Sequence, residues 1–455
     1  MWRSATRDLA VVLGASWFAR IVFVAAIGDT HSVDVEYWEG ALDAQDAGKN
    51  PYETGVLNWP PLWLIVIVGL DWASNLLDVA FLSVLRVFLV LVESALVTTL
   101  YFVLISLDVT RASIRRALLV GIALNPVAIL LVSQHGNSDV IVGLLVTLAI
   151  AALIGQRRSR DGVFWLFGCL LLGIGVLAKT VPLVLAPVLA PGARIASWVE
   201  RSLGSFLFVG PAALGVCVIL VLTPSAVLDH VIGYRSTRGF FGVSGLLDEH
   251  VFGDLSGRVD RLTGIDLRAS YPTAFTLAVL LGVLWLGGRL WREPLPQAER
   301  LFLLVAVTFL AVVGLGPGYG PQYAYWLLPS LVATYALLDD GWRRLLLVAF
   351  VVSSSTYAIE YAFVPWLGAY AEAVIGDANW VADVSAYLDT PQTLTLLRTP
   401  LFCVYLALLV AGGRRLIAQR RLAIAELKAQ SSDDSDGRTS PPEASRAAIA
   451  PGRSG

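Results

Sequence analysis

The stretch Trp59-Pro60-Pro61-Leu62-Trp63-Leu64-Ile65-Val66-Ile67-Val68-Gly69-Leu70 decides how this chain is threaded. It is apolar throughout, and Asp71 and Asn75 then interrupt it. A helix needs about 20 apolar residues to cross a bilayer, so this run is too short to span. Parity agrees. If the run crossed, the arginine clusters in 111–116 and 157–160 would both fall outside, whereas short cytoplasmic loops are the ones that carry Lys and Arg. The run is therefore expected to lie in or beside the outer interface, within a long first loop.

Working outward from it, apolar runs recur along most of the 455 residues, of which 56% are hydrophobic and only 15% charged. A soluble domain carries about 25% charged residues, and the mean hydropathy here is +0.71. The chain reads as an all-α polytopic membrane protein, because in lipid a helix satisfies its own backbone groups. About twelve spans are expected, at 9–27, 80–107, 113–133, 138–154, 163–178, 180–192, 203–223, 273–291, 300–316, 323–338, 344–364 and 395–412. The first follows Arg3 and Arg7 like a signal peptide, but it lacks a small-residue cleavage pattern and is expected to be retained. With this threading, 20 Lys and Arg fall in the N-terminus, the short connectors and the start of the tail, while acids dominate the other side. Both termini are then cytoplasmic, in a multi-pass inner (plasma) membrane protein. The large loops, about 28–79, 224–272 and 365–394, all face outward, and a site is expected there. Residues 1–413 form the membrane domain. Residues 414–455, basic and then rich in Ser, Asp and Pro, are expected to be a disordered cytoplasmic tail whose arginines meet lipid headgroups.

Cys169, Cys217 and Cys403 are scattered through apolar runs, which argues against a disulfide framework or a metal site. Nucleic acid is not an expected partner. Thirty arginines stand against three lysines, one of which, Lys179, lies at a membrane boundary.

Five constellations could carry chemistry. His31-Ser32-Val33-Asp34-Val35-Glu36-Tyr37-Trp38 places Asp34 just past the first span, with Glu36 and Glu39 following. One carboxylate within hydrogen-bond reach suffices to deprotonate a hydroxyl, yet this loop holds nine acids, and a solvated acid is the plainer reading. Gln134-His135-Gly136-Asn137-Ser138-Asp139 is a polar turn between two spans, costly there unless it faces water or ligand; alternatively Asn137 or Ser138 caps the next helix. Leu177-Ala178-Lys179-Thr180-Val181-Pro182 offers either a snorkelling lysine or a cation for a lipid phosphate. Tyr234-Arg235-Ser236-Thr237-Arg238 is either a phosphate clamp or a headgroup anchor. Gly316-Pro317-Gly318-Tyr319-Gly320-Pro321-Gln322-Tyr323 marks a tight turn, with Gln322 able to bond sugar or phosphate and Tyr323 and Trp326 placed like interface anchors. Intramembrane Arg20, Arg86 and Glu93 are expected to pair across helices.

In order, the acidic loop, Asn50-Pro51-Tyr52, Pro60-Pro61-Leu62, Leu124-Asn125-Pro126 with Gly136-Asn137-Ser138-Asp139, Ala178-Lys179 with Pro182, and Gly320-Pro321-Gln322-Tyr323 with Trp326-Leu327-Leu328-Pro329 resemble the polytopic GT-C glycosyltransferases. Among these they are most similar to the bacterial polyprenyl-phosphate-mannose-dependent mannosyltransferases, over about residues 20–335. The resemblance implies an inverting transfer at the outer face, from a polyprenyl-phosphate sugar donor to a lipid or glycan acceptor, without nucleotide or other cofactor. It implies that Asp34 is the general base, that Asp139 is the second-loop acid, and that helices lie along the membrane in the first outer loop. Mannose is inherited from it. Two departures exist: Glu36 follows Asp34 by only two residues where relatives often space the acids further, and Lys179, Arg235 and Arg238 match loosely. The rival readings are a secondary transporter, which calls for an internal repeat and midplane binding groups that the sequence lacks, a surface-polysaccharide polymerase or ligase, and a non-enzymatic scaffold.

Overall fold

The computed structural model describes residues 2–54, 57, 59–222, 241–246, 255–264, 266–293, 297–318, 320–360, 380, 383–384, 387 and 390–436; among these the chain is helical, with no strand. The helices are α1 (Trp2–Ile27), α2 (Val33–Asp46), α3 (Pro61–Leu77), α4 (Phe81–Ser106), α5 (Arg111–Leu118), α6 (Pro126–Leu130), α7 (Asp139–Ser159), α8 (Gly162–Ala178), α9 (Ala190–Ile195), α10 (Trp198–Leu222), α11 (Gly242–Leu246), α12 (Leu255–Thr263), α13 (Leu267–Trp291), α14 (Ala298–Leu315), α15 (Ala324–Leu337), α16 (Asp340–Ala358) and α17 (Pro391–Asp436). Wide π-turns follow α5 (Leu119–Ala123) and α6 (Leu131–His135), and a 3-10 segment (Val181–Leu189) precedes α9.

Seven of these helices are long and apolar enough to cross a membrane, and an eighth span forms if Arg111–Ala123 and Pro126–His135, bent by 48°, are taken as one. This is a polytopic membrane protein. Four of the twelve expected spans differ from simple rods. The expected 113–133 is broken at Leu124-Asn125, because Pro126 has no N–H to donate and the Asn125 side chain accepts instead from Val127 N at 2.9 Å. Gly162–Ala178, Val181–Ile195 and Ala324–Leu337 are apolar but short. Conversely α3 runs past Leu70 to Leu77, with Asn75 bonded to Asp71 one turn back, so the first-loop helix is longer than its apolar run.

At the centre stands α15, whose residues Ala324–Ala336 are all buried. A helix that is apolar all round belongs inside a bundle, and α14, α7, α5, α4 and α16 surround it. Close helix approach relies on small residues in membranes. At Gly173 of α8, a Cβ would collide with the backbone carbonyls of Leu207 and Phe208 of α10. The intramembrane charges are paired, though not all with acids. Arg20 of α1 meets Glu93 of α4 at 2.6 Å and donates to the carbonyls of Ser16 and Ala123, the latter freed by the break before α6. Tyr325 donates to the other Glu93 oxygen at 3.2 Å. Arg86 instead donates to the carbonyls of Gly28 and Thr30 at the C-terminus of α1.

By connectivity the bundle has two ends. At one, α1, the bent α5–α6 pair, α8, α14 and α16 finish and α4, α7, α15 and α17 begin. The other end gathers the arginines, in pairs such as Arg115–Asp8 (2.9 Å), Arg415–Asp339 (2.5 Å) and Arg420–Glu293 (2.6 Å). The last pairs revise the expected tail. Residues 414–436 are not loose but continue α17, docked by Arg415 and Arg420. Extending an already nucleated helix through the good helix formers that dominate 414–430 costs little. Residues 437–455 lie outside the described residues.

Candidate active site

The first loop is held to the bundle by aromatic packing. Helix α2 buries Val35, Trp38, Ala41 and Leu42 along one face, and Trp38 stands edge-on to Trp59 (5.8 Å) and Trp63 (4.9 Å). The Asn50-Pro51-Tyr52 and Trp59-Pro60-Pro61 motifs are struts: Asn50 accepts from Tyr52 N, and the Tyr52 hydroxyl donates to the Trp59 carbonyl at 3.1 Å. Ser32, in extended backbone before α2, donates to the His135 carbonyl at 2.9 Å and ties the loop to the turn between α6 and α7.

This arrangement sets Asp34 in the first turn of α2, where a carboxylate is favoured by the helix dipole, facing the polar turn. His135 Nε2 donates to Asp34 Oδ2 at 2.9 Å and Asn137 Nδ2 donates to the same oxygen at 2.6 Å. Among the described residues Asp34 Oδ1 accepts no hydrogen bond. Asn137 Oδ1 also accepts from Asp139 N at 3.2 Å, so one side chain holds both the first residue of α7 and Asp34, whereas Ser138, the N-cap residue, makes no side-chain capping bond. The wide turn Leu131–His135 and the left-handed Gly136 (φ 65°) aim these groups. A Cβ on Gly136 would come within 3.1 Å of Val35 and 3.3 Å of Leu85. Such π-turns recur at functional sites.

A carboxylate only accepts, so His135 Nε2 carries a proton, and the other ring nitrogen, Nδ1, pairs with the Tyr357 hydroxyl of α16 at 2.9 Å. Burial pushes the Asp34 carboxyl up, but the hydrogen bond and charge of His135, the Lys179 cation and the Asn137 bond more than reverse this and hold it below the usual carboxylate range.

Lys179 is neither a lone cation nor a snorkelling side chain. Its Nζ meets Oδ1 of the fully buried Asp139 at 2.5 Å, and its own side chain is 15% exposed. It also lies 5.4 Å from the centre of the Tyr323 ring and 5.0 Å from that of Trp326, which stack on each other at 4.2 Å. Residues Asp34, His135, Asn137, Asp139, Lys179 and Tyr323, spread over 290 residues of sequence, thus gather at one end of the bundle. One expected member does not join them. Glu36 is exposed, because two residues along a helix turn it to the opposite face. Arg235 and Arg238 lie outside the described residues. Gln322 shares the turn with Tyr323, with its Oε1 buried and unpartnered. Ser32 and Tyr357 are participants that sequence reasoning missed. A tyrosine near the end of an apolar run looks like any interface anchor, so no local signal marks it. Among the described residues no three His, Cys, Asp or Glu side chains cluster as metal ligands would.

Chemically, the arrangement offers an ionised, oriented carboxylate with one oxygen uncommitted among the described residues, backed by an imidazole and flanked by a paired cation and two aromatic faces.

No protein-family model matches the chain. Over 148 residues it is 28% identical to the undecaprenyl phosphate-alpha-4-amino-4-deoxy-L-arabinose arabinosyl transferase of Pseudomonas aeruginosa. The match takes in 31% of this chain, which spans only a quarter (25%) of that relative's length. The likeness supports, at a coarse level, the GT-C glycosyltransferase superfamily that the motif order resembles, and it gives no support to the mannosyltransferase subtype.

Proposed function

We propose that this protein is a membrane glycosyltransferase that moves a sugar from a polyprenyl-phosphate donor to a lipid or glycan acceptor at the outer face, with inversion and with Asp34 as general base. The observation that carries the reading is the hold on Asp34: two donors converge on Oδ2 and leave Oδ1 for an acceptor hydroxyl. In the reaction the acceptor oxygen forms its bond to the anomeric carbon as the bond from that carbon to the phosphate oxygen breaks. The acceptor proton passes to Asp34, and polyprenyl phosphate departs with the bonding electrons. Phosphate is a good leaving group, so the demands are a base worth about 10²–10⁴-fold, alignment of the two substrates, and cationic donors where phosphate charge develops.

Lys179 has three N–H donors and gives one to Asp139; the others are available to the donor phosphate. Arg235 and Arg238 remain proposed contacts to the same group, and Gln322 and Tyr323 to the substrates. Tyr323 and Trp326 offer apolar faces for a sugar ring. The relative acts with an amino-arabinose and the sequence motifs resemble mannosyltransferases, so the donor sugar is a mannose or an amino-pentose in this reading. The termini face the cytoplasm and α3 lies along the outer interface, with the remaining spans completing about twelve crossings.

The test is transfer of labelled sugar from synthetic polyprenyl-phosphate-mannose and polyprenyl-phosphate-aminoarabinose, in membranes with wild-type protein, Asp34→Asn, or neither. Asparagine keeps a carbonyl oxygen for His135 and Asn137 to bond, so the change isolates the charge. Product with wild type and its loss with Asp34→Asn at equal protein level support the reading. Full activity of the variant removes Asp34 as the base. Transfer of a whole lipid-linked glycan instead of one sugar would favour a polymerase or ligase.

A further inference from the structure

At the bundle end opposite Asp34, Arg7, Asp8 and Val11 of α1 and Arg111, Ala112 and Arg115 of α5 line an open cavity of about 490 Å³. The twenty residues of α1 from Asp8 to Ile27 rise about 28 Å, close to the hydrocarbon thickness of a bilayer. The cavity therefore sits at the other membrane boundary, far from the candidate active site.

Its lining carries three guanidinium groups against one carboxylate. Asp8 braces two of them, with Oδ1 at 2.9 Å from Arg115 and Oδ2 at 4.0 Å from Arg111. A guanidinium has five N–H donors in a planar fork, so one shared carboxylate leaves most of these uncommitted. Arg111 and Arg115 keep 45% and 47% of their side chains exposed. Arg111 and Ala112 also open α5, whose first backbone N–H groups point outward from the helix and favour an anion. Beside this basic lining stands Val11, an exposed apolar side chain on the flank of the same span. Cationic floor, helix start and apolar lip together match a phosphate with a hydrocarbon chain attached, since guanidinium binds phosphate oxygens bidentately and basic pockets between spans hold lipid headgroups.

We propose that this cavity binds a phosphate-bearing anion, with the headgroup of an acidic phospholipid as the natural source. Bound there, it bridges α1 and α5 and offsets part of the net positive charge of the lining. Arg158 and Arg343, which donate to Ser106 and Ser113 on the neighbouring segments, are committed elsewhere and stand outside the cavity.

The experiment uses the full chain in nanodiscs of phosphatidylcholine containing a minor fraction of phosphatidylglycerol, with lipid retention read by native mass spectrometry. Wild type is expected to keep one phosphatidylglycerol. R111Q/R115Q is expected to lose it, with retention weakened roughly fivefold for each arginine removed. R157Q/R160Q, which removes equal charge from the same membrane face outside the cavity, is expected to retain it. D8N frees guanidinium donors and is expected to tighten retention, an outcome that misfolding does not imitate. Equal loss in the two arginine pairs, or weaker retention in D8N, would overturn the proposal. A second arm adds glycerol phosphate: displacement of the lipid shows that the phosphate itself is recognised, and retention in its presence assigns the site to the lipid headgroup.

Discussion

Lys179 and Asp139 make a pair whose two halves are expected to respond very differently to truncation. Asp139 is wholly buried; its Oδ1 takes the Lys179 ammonium at 2.5 Å, and its Oδ2 has no partner among the described residues. Lys179→Met leaves that carboxylate without a cation, a defect worth about 3–5 kcal/mol. The reverse change is milder. With Asp139→Asn, Lys179 keeps its contact with water and its place over Tyr323 and Trp326. A cation over aromatic faces is worth roughly 0.5–2 kcal/mol, so the loss should stay near 1–2 kcal/mol, the scale of one hydrogen bond to a charged group. The double variant removes both charges and is expected to be more stable than Lys179→Met alone, with a coupling of about 2 kcal/mol. Unfolding by denaturant titration of the four proteins in matched lipid–detergent mixtures gives the cycle. Equal costs for the two single variants, adding without coupling, would refute the placement of Asp139 as a buried charge dependent on Lys179.

Three further outcomes follow from the geometry. A carboxyl held below its ordinary value contributes stability above the unfolded value, about pH 3.9, and loses it only as pH falls through the lower folded one. Asp34 therefore stays ionised from pH 8 down to 5 and sets no limb on transfer in that range; His135→Leu removes the largest lowering cause and should move the acid limb to higher pH, and an unmoved limb counts against the assignment. Tyr357→Phe takes the hydroxyl partner from His135 Nδ1 and is expected to lower transfer up to about tenfold, the worth of one hydrogen bond, with the His135 ring signals changing in 15N NMR of the four histidines; a stability loss without a change in those signals would make Tyr357 merely structural. Gly136→Ala forces a Cβ into a left-handed residue facing Val35 and Leu85 and should cost roughly 1–3 kcal/mol together with most transfer activity; a well-folded, fully active variant would show that the turn is not under this constraint.

What the sequence determined alone is what the bilayer demands locally. Apolar length and the scarcity of charge are set residue by residue, so the all-helical membrane class, most helix positions and the gathering of arginines at one end are readable without coordinates. The motif order also singled out Asp34, His135, Asn137, Asp139, Lys179 and Tyr323 as noteworthy. Their relations were not readable. The Asp139–Lys179 pair joins positions forty residues apart, and His135–Tyr357 joins positions 222 apart, distances over which no periodicity in the sequence carries information. The break at Asn125-Pro126, the wide turn before Gly136 and the docking of α17 beyond the membrane depend on tertiary partners: Arg20 for carbonyls freed at the break, the fit of Gly136 against Val35 and Leu85, and Glu293, Glu299 and Asp339 for Arg415 and Arg420 of α17. Helix formation in lipid is a local necessity, whereas the direction in which a buried polar side chain points is decided by whichever distant group can satisfy it.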